Sequence, residues 1–282
     1  MDLISEITAL RAQVAGWRLN GEKITLVPTM GNLHDGHLKL VAEARLRGDR
    51  CVVTIFVNPL QFGEREDFDS YPRTLDDDAE KLRQAGVDLL FAPSVEVVYP
   101  AGQAVQSQIE VPLISDILCG ASRPGHFVGV ATVVAKLFNF VQPDIALFGE
   151  KDFQQLMVIR QMTQDLCFPI EIVGVATDRE TDGLARSSRN GYLTEDERQL
   201  APALYAVLNA VAEKLRAGED DLVDVESSAI NTLKEIGFEL DYFTIRRTAD
   251  LERPQQDDVE LIILAAAYLG CTRLIDNLTL TL

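Results

Sequence analysis

An α/β fold is what this 282-residue chain predicts: a parallel sheet flanked by helices, followed by a smaller α+β C-terminal domain. Three observations carry that expectation. Short, continuous, β-branched apolar runs alternate with stretches of helical periodicity, which marks strands buried on both faces. Polar segments bearing Gly, His, Asn and Gln follow the ends of those runs instead of being scattered between them. After about Thr177 the alternation gives way to two helical stretches and then strands.

In chain order, Leu3, Ile4, Ile7, Leu10, Val14 and Trp17 share one face of a helix expected from about Leu3 to Leu19. Candidate strands follow at Ile24–Val27, Cys51–Val57, Asp88–Phe91, Gln108–Val111, Asp144–Phe148 and Glu171–Ala176. Candidate helices are His37–Arg47, Leu75–Ala85, Val128–Phe140 and Phe153–Asp165. Thr74 is the expected N-cap of the second of these, and the aspartates after it favour the positive end of its dipole. Beyond the boundary, helices at Glu195–Ala217 and Leu222–Ile236 precede strands near Leu240–Arg246, Val259–Ala267 and Thr272–Ile275. The reading divides the chain into domains 1–177 and 178–282, with the polar stretch Asp178–Asn190 at the junction.

Composition narrows the function. The formal charge of −18 argues against nucleic acid or an anionic membrane as partner, because a polyanion would be repelled over most of the surface. Small anionic ligands remain open if a site is locally positive. The 4 cysteines form no Cys-x-x-Cys pair and read as reduced thiols. Met-Asp-Leu-Ile-Ser-Glu lacks the basic start of a signal peptide, and the apolar run Leu261–Leu269 is too short to span a bilayer. The expected compartment is the cytoplasm.

Four segments lie beyond the carboxyl ends of predicted strands, the edge where open α/β sheets bind ligands. The first, Met30-Gly31-Asn32-Leu33-His34-Asp35-Gly36-His37, turns a strand into a helix and carries two of the 3 histidines. A helix start with imidazoles beside it is an anion site. It lacks the Gly-Lys-Ser/Thr of a P-loop and the Gly-x-Gly-x-x-Gly of a dinucleotide turn. The others are Asn58-Pro59-Leu60-Gln61-Phe62, then Gly149-Glu150-Lys151-Asp152 with Gln154 and Gln155, then Asp182–Asn190. Each has a plainer reading: a glycine turn with surface histidines, an Asn-Pro turn, an ordinary helix start, a solvated linker. Asp76-Asp77-Asp78 reads as a helix-start charge run, with metal binding as the alternative, and His126 as a structural loop histidine. Together, Lys151 and Arg189 supply charge, His34 and His37 donors, and Ser187 and Ser188 hydroxyls. That inventory suits a triphosphate.

The ordered motifs Thr-Met-Gly-x-Leu-His-x-Gly-His, Phe-Val-Asn-Pro-x-Gln-Phe, Tyr-Pro-Arg-Thr, Arg-Pro-Gly-His-Phe, Phe-Gly-Glu-Lys-Asp-x-Gln-Gln and Asp-Gly-Leu-Ala-x-Ser-Ser-Arg-Asn together resemble the pantothenate synthetase (pantoate–β-alanine ligase) family. The His-x-x-His turn alone belongs to the wider nucleotidyltransferase superfamily; the Asn-Pro-x-Gln-Phe and Gly-Glu-Lys-Asp-x-Gln-Gln motifs narrow it. The resemblance implies a Rossmann-like catalytic domain and ATP-dependent condensation of pantoate with β-alanine through a pantoyl adenylate, releasing pyrophosphate and AMP. It implies ATP contacts from Met30 to His37, from Gly149 to Asp152, and from Asp178, Arg186, Ser187, Ser188 and Arg189. His34 and His37 would lie at the phosphates, His37 with an acid role, and Lys151 would stabilise the developing charge. Gln61 and Gln155 would bind pantoate, Gln61 also reaching β-alanine, with Asn58 and Arg123 helping. A homodimer, a need for Mg2+ and a C-terminal domain closing over the ATP site are also implied. Asp178 and Arg186 depart from the apolar residues the family pattern leads one to expect there. An aminoacyl-tRNA synthetase would need a tRNA-binding domain and a basic surface, and both are lacking. A simple nucleotidyltransferase would make a dinucleotide-like product, against which the polar pocket of Gln61 and Gln155 argues only through the resemblance; a nucleotide sensor would need the fold but no second substrate pocket.

Overall fold

The computed structural model describes residues 1–63 and 66–282. They form two compact units, one of Met1–Glu150 with Gln155–Ala176, the other of Lys151–Gln154 with Thr177–Leu282.

The first unit is built on strands β1 (Asp2–Ile4), β2 (Ile24–Thr29), β3 (Arg50–Ile55), β4 (Leu89–Phe91), β5 (Ile145–Gly149) and β6 (Glu171–Val175). Their order is β1-β4-β3-β2-β5-β6, and every ladder is parallel. The helices are α1 (Ile7–Leu19), α2 (Asp35–Arg47), α3 (Leu75–Gln84), the short α4 (Val95–Val98) and α5 (Cys119–Ser122), α6 (His126–Val141) and most of α7 (Phe153–Asp165). Val27, Val41, Leu82, Leu90 and Leu147 join one buried cluster from α2, α3 and the sheet. Burying each such side chain contributes roughly 1.5–3 kcal/mol before entropy is counted. Strand β2 is the pivot: β3 lies on one side of it and β5 on the other, so the carboxyl ends of β2 and β5 flank the topological switch point.

The second unit has helices α8 (Glu195–Leu200), α9 (Ala203–Arg216) and α10 (Leu222–Ile236), and an antiparallel sheet β7 (Glu239–Arg247), β8 (Glu260–Leu269), β9 (Thr272–Thr281) in that spatial order. Leu204, Leu208, Leu233, Ile245 and Ile263 sit at its core.

The parallel α/β sheet and the smaller α+β portion agree with the sequence; four local expectations do not. Residues Asp2–Ile4 are a strand paired in parallel with Leu89–Phe91, so α1 begins only at Ile7. Three residues are too few for periodicity to separate strand from helix. Gln108–Val111 forms no ladder, and the Ile109 N–H donates to the Thr132 hydroxyl at 2.9 Å instead. The expected Glu195–Ala217 helix is two, interrupted before Ala203 at Pro202, where the ring removes a donor. Thr74 occupies the N-cap position of α3, but its hydroxyl donates to Asp78 rather than capping.

Candidate active site

Strand β2 ends at Thr29, whose hydroxyl donates to the Thr54 carbonyl (2.8 Å) and accepts from the Gly31 N–H (3.2 Å). Gly31 and Asn32 then take left-handed backbone conformations (φ 83° and 50°). A Cβ at Gly31 would be strained at that φ and would approach Asp78 Oδ2 to 3.1 Å. This tight reversal aims successive N–H groups at one anion, and the protein supplies it. Asp78, fully buried on α3, accepts from the Asn32 and Leu33 N–H groups, both at 2.8 Å, and from Thr74 Oγ1 at 3.1 Å. Lys81 Nζ donates to the Leu33 carbonyl at 2.7 Å. The chain is thereby delivered to His34, the N-cap of α2.

His37, three residues on, turns its ring back so that Nδ1 accepts the His34 N–H at 3.3 Å. With that bond made, the proton of a neutral ring lies on Nε2. The two imidazoles lie with centroids 4.1 Å apart at the start of a 13-residue helix, where backbone dipoles favour an anion.

Beyond β3, Asn58 and Gln61 are held by a continuous set of hydrogen bonds. Asn58 Nδ2 donates to Gln61 Oε1 (3.2 Å) and to the Gly129 carbonyl (3.0 Å), while Asn58 Oδ1 accepts from the Tyr99 hydroxyl (2.7 Å). Burial pushes the Tyr99 phenol up, so it stays a donor. Gln61 Nε2 donates to the Met30 thioether at 2.8 Å, tying this loop to the β2 turn. A Cβ on Gly129 would stand 2.2 Å from the Leu60 carbonyl, so a glycine is required where α6 passes the loop. The Gln61 backbone is clamped as well: its carbonyl faces His126 Nδ1 at 2.7 Å and accepts from Arg123 at 3.3 Å. Arg123 also contacts His126 Nε2 (3.1 Å) and forks onto Glu66, with Nε 2.6 Å from Oε1. Burial alone would raise the Glu66 carboxyl; the hydrogen bonds and charge of Arg123 outweigh it and hold that group below the usual carboxylate range.

In the second unit, residues 178–186 fold back on themselves through a bridge between Arg179 and Ala185. Ser187 caps the following turn by accepting from the Arg189 N–H (3.2 Å). Lys151, Ala185, Ser187, Asn190 and Asp276 line one recess. Among the described residues the half-buried Lys151 ammonium makes no ion pair and no hydrogen bond, a poised cation in a chain of net charge −18.

Known proteins match this arrangement along its whole length. The family model for pantoate-beta-alanine ligase matches residues 2–279. The pantothenate synthetase of Pseudomonas entomophila is 57% identical over 282 residues, covering 100% of this chain and 98% of that protein. That of Alcanivorax borkumensis is 56% identical over 280 residues, 99% and 98% of the two. The chain belongs to the pantoate–β-alanine ligase family. Crystal structures agree: the Thermus thermophilus pantothenate synthetase superposes with a TM-score of 0.91 at 46% identity, covering 99% of each chain. The Francisella tularensis pantoate–β-alanine ligase, complexed with beta-gamma ATP and β-alanine, gives 0.84 at 35% identity over 99% and 97%. As a pantoate–β-alanine ligase the protein is a carbon–nitrogen bond-forming enzyme that condenses pantoate with β-alanine.

Within this ligase the expected residues have distinct surroundings. Met30, Asn58 and Gln61 are hydrogen-bonded together, and Arg123 reaches Gln61 through its carbonyl while its charge is matched by Glu66. Gln155 is half-buried in the first turn of α7, and no hydrogen bond joins it to Gln61 among the described residues. Leu33 sends its side chain into the core. Asp35 and Asp152 are exposed. Asp178 and Arg186, the two departures from the apolar pattern, pair with each other at 2.8 Å, and Arg186 also bonds Glu180 at 2.8 Å. Each charge is thus answered locally. Sequence reasoning missed Asp78, Tyr99 and Glu66 as supports. Asp78 had a signal: it lies four residues before Leu82, on the buried face of α3.

Proposed function

We propose that the chain makes pantothenate in two steps, with ATP as co-substrate. The pantoate carboxylate attacks the α-phosphorus of ATP; the bond to the bridging oxygen breaks, and pyrophosphate leaves with its electrons. The β-alanine amine then attacks the acyl carbon of pantoyl adenylate and expels AMP, losing a proton as the amide forms. A carboxylate is already nucleophilic at neutral pH, so the protein's work is positioning and charge stabilisation. His34 and His37 donate to phosphate oxygens at the start of α2, His37 through Nε2–H. Lys151, with Ser187, Ser188 and Arg189, meets the triphosphate charge. Met30 to His37, Gly149 to Asp152, Asp178 and Arg186 complete the ATP contacts, while Asn58, Gln61, Gln155 and Arg123 serve pantoate and β-alanine.

The observation carrying this reading is the half-buried Lys151 ammonium, without a counter-ion among the described residues and sharing a recess with Ser187. Magnesium enters with the triphosphate as MgATP, the usual way this ion meets phosphate chemistry. The resemblance also supports a cytoplasmic homodimer and closure of the C-terminal unit during turnover. No described helix is long and apolar enough to cross a membrane. Isotope exchange between pyrophosphate and ATP tests the reading: it requires pantoate and proceeds without β-alanine. Full exchange in the absence of pantoate refutes it.

A further inference from the structure

Lys151 follows β5 in the chain, yet Lys151–Gln154 belongs to the C-terminal unit, and the last strand shows what holds it there. Asn277 Nδ2 donates to the Lys151 carbonyl at 2.9 Å, across 126 residues of sequence. Its neighbour Asp276, with a side chain 3% exposed, grips Arg179 with two bonds, 2.7 and 2.9 Å. Arg179 in turn donates to the Gly183 carbonyl (3.1 Å) and lies 3.5 Å over the Tyr205 ring. Asp276 Oδ1 also accepts the backbone N–H of Asn277 at 2.8 Å, which fixes the carboxylate against the strand beside Asn277. Two adjacent residues of β9 therefore grasp two separate pieces of chain: the Lys151 backbone and the loop 178–190 that carries Ser187, Ser188 and Arg189.

From this geometry we infer that Asp276 and Asn277 are positioning residues for phosphate-charge stabilisation. They keep Lys151 in register with the Ser187–Arg189 loop so that ammonium, hydroxyls and guanidinium meet one anion as a set. The inference rests on the triphosphate reading above. Preorganised charge loses effect quickly when it is misplaced, since an ångström of displacement can cost about 100-fold in rate. An ordinary structural contact would weaken the unit as a whole. A positioning contact acts through Lys151 and on the ATP-dependent step.

A double-mutant cycle on the full chain separates the two. Pantoate-dependent pyrophosphate–ATP exchange is measured for wild type, Asn277→Ala, Asn277→Asp, Lys151→Ala and Lys151→Ala/Asn277→Ala. Asn277→Asp keeps the shape but removes the donor to the Lys151 carbonyl. Each Asn277 single variant loses about tenfold or more in exchange, while conversion of supplied pantoyl adenylate with β-alanine stays within about twofold of wild type. In the Lys151→Ala background the Asn277 change costs less than about threefold more, because the group it positions is already gone. A full further tenfold loss in that background overturns the inference, as does equal loss in both half-reactions or full exchange in both single variants. Absence of exchange in wild type would instead refute the ligase mechanism itself. Should Asn277→Ala not fold, Asn277→Asp and its Lys151→Ala double carry the same cycle.

Discussion

Removing the Asp78 carboxylate should destabilise the first unit and disable the histidine turn together. Its two oxygens accept two backbone N–H groups at 2.8 Å and one hydroxyl at 3.1 Å, and the side chain is wholly buried. In Asp78→Ala both N–H groups lose their acceptor, and each unpaired buried donor costs roughly 1–3 kcal/mol. Thr74 can rotate its hydroxyl to another acceptor, so the loss is about 2–6 kcal/mol, a large share of the roughly 5–15 kcal/mol that stabilises a domain. Asp78→Asn keeps one acceptor oxygen and turns an amide N–H toward a donor, giving about half that loss. Trp17 is the sole tryptophan and is buried in α1 of the same unit, so its fluorescence reports this unit's unfolding in urea. With a slope of about 2–3 kcal/mol per molar urea, a 4 kcal/mol loss moves the midpoint down by about 1.5 M. An Asp78→Ala midpoint within about 0.3 M of wild type would refute the account of this turn.

Further outcomes concern the site and its supports. His34→Ala and His37→Ala should each slow adenylation more than amide formation, and supplied pantoyl adenylate should restore much of the turnover; equal damage to both steps would show that the imidazoles serve the second step too. Gln155→Ala should raise the pantoate requirement about tenfold, the effect of leaving a buried polar group unmatched, with ATP affinity nearly unchanged; a parallel loss of ATP affinity contradicts this. The Glu66 pair stabilises the Gln61 loop fully above the unfolded glutamate value of about 4.3 and loses that contribution as pH falls through its depressed folded value. Glu66→Gln should therefore flatten the acid limb of the stability–pH curve, and an unchanged limb argues against the pair. Burial pushes the Cys51 thiol up to about 12, so a thiol reagent at pH 8 should modify the exposed Cys167 and Cys271 and spare Cys51 until the chain unfolds. Mass spectrometry assigns the labelled positions; prompt modification of Cys51 would contradict its burial.

What could be read from the sequence was what depends on local periodicity. Phe153–Asp165 and Leu222–Ile236 were legible to the residue, since each presents one apolar face over several turns. The segment of two glycines and two histidines was legible as a strand-to-helix turn, because it falls where a β-branched run gives way to helical periodicity. Features fixed by partners far along the chain were not. Residues Asp2–Ile4 are a strand only because Leu89–Phe91 lies beside them. Asp78 looks like one of three helix-start aspartates until the Asn32 and Leu33 N–H groups are brought to it. Likewise Asp276 and Asn277 sit in an unremarkable strand until Arg179 and Lys151 arrive.

The hydrogen bonds around Gln61 give its amide a direction. The carbonyl end faces inward to Asn58, whose own carbonyl is occupied by Tyr99, while the NH2 end rests on the Met30 sulfur. A thioether is among the weakest acceptors a protein offers, so exchanging it for a carboxylate or hydroxyl oxygen is downhill. The resting contact thus acts as a placeholder, keeping the donor ordered but easily surrendered. A ligand bound at Gln61 as proposed would suit this spot by presenting oxygen lone pairs. One that presents N–H there meets another N–H and cannot turn the amide over without uncoupling Asn58 and Tyr99, so the discrimination is made by two residues standing behind the one that would touch the ligand.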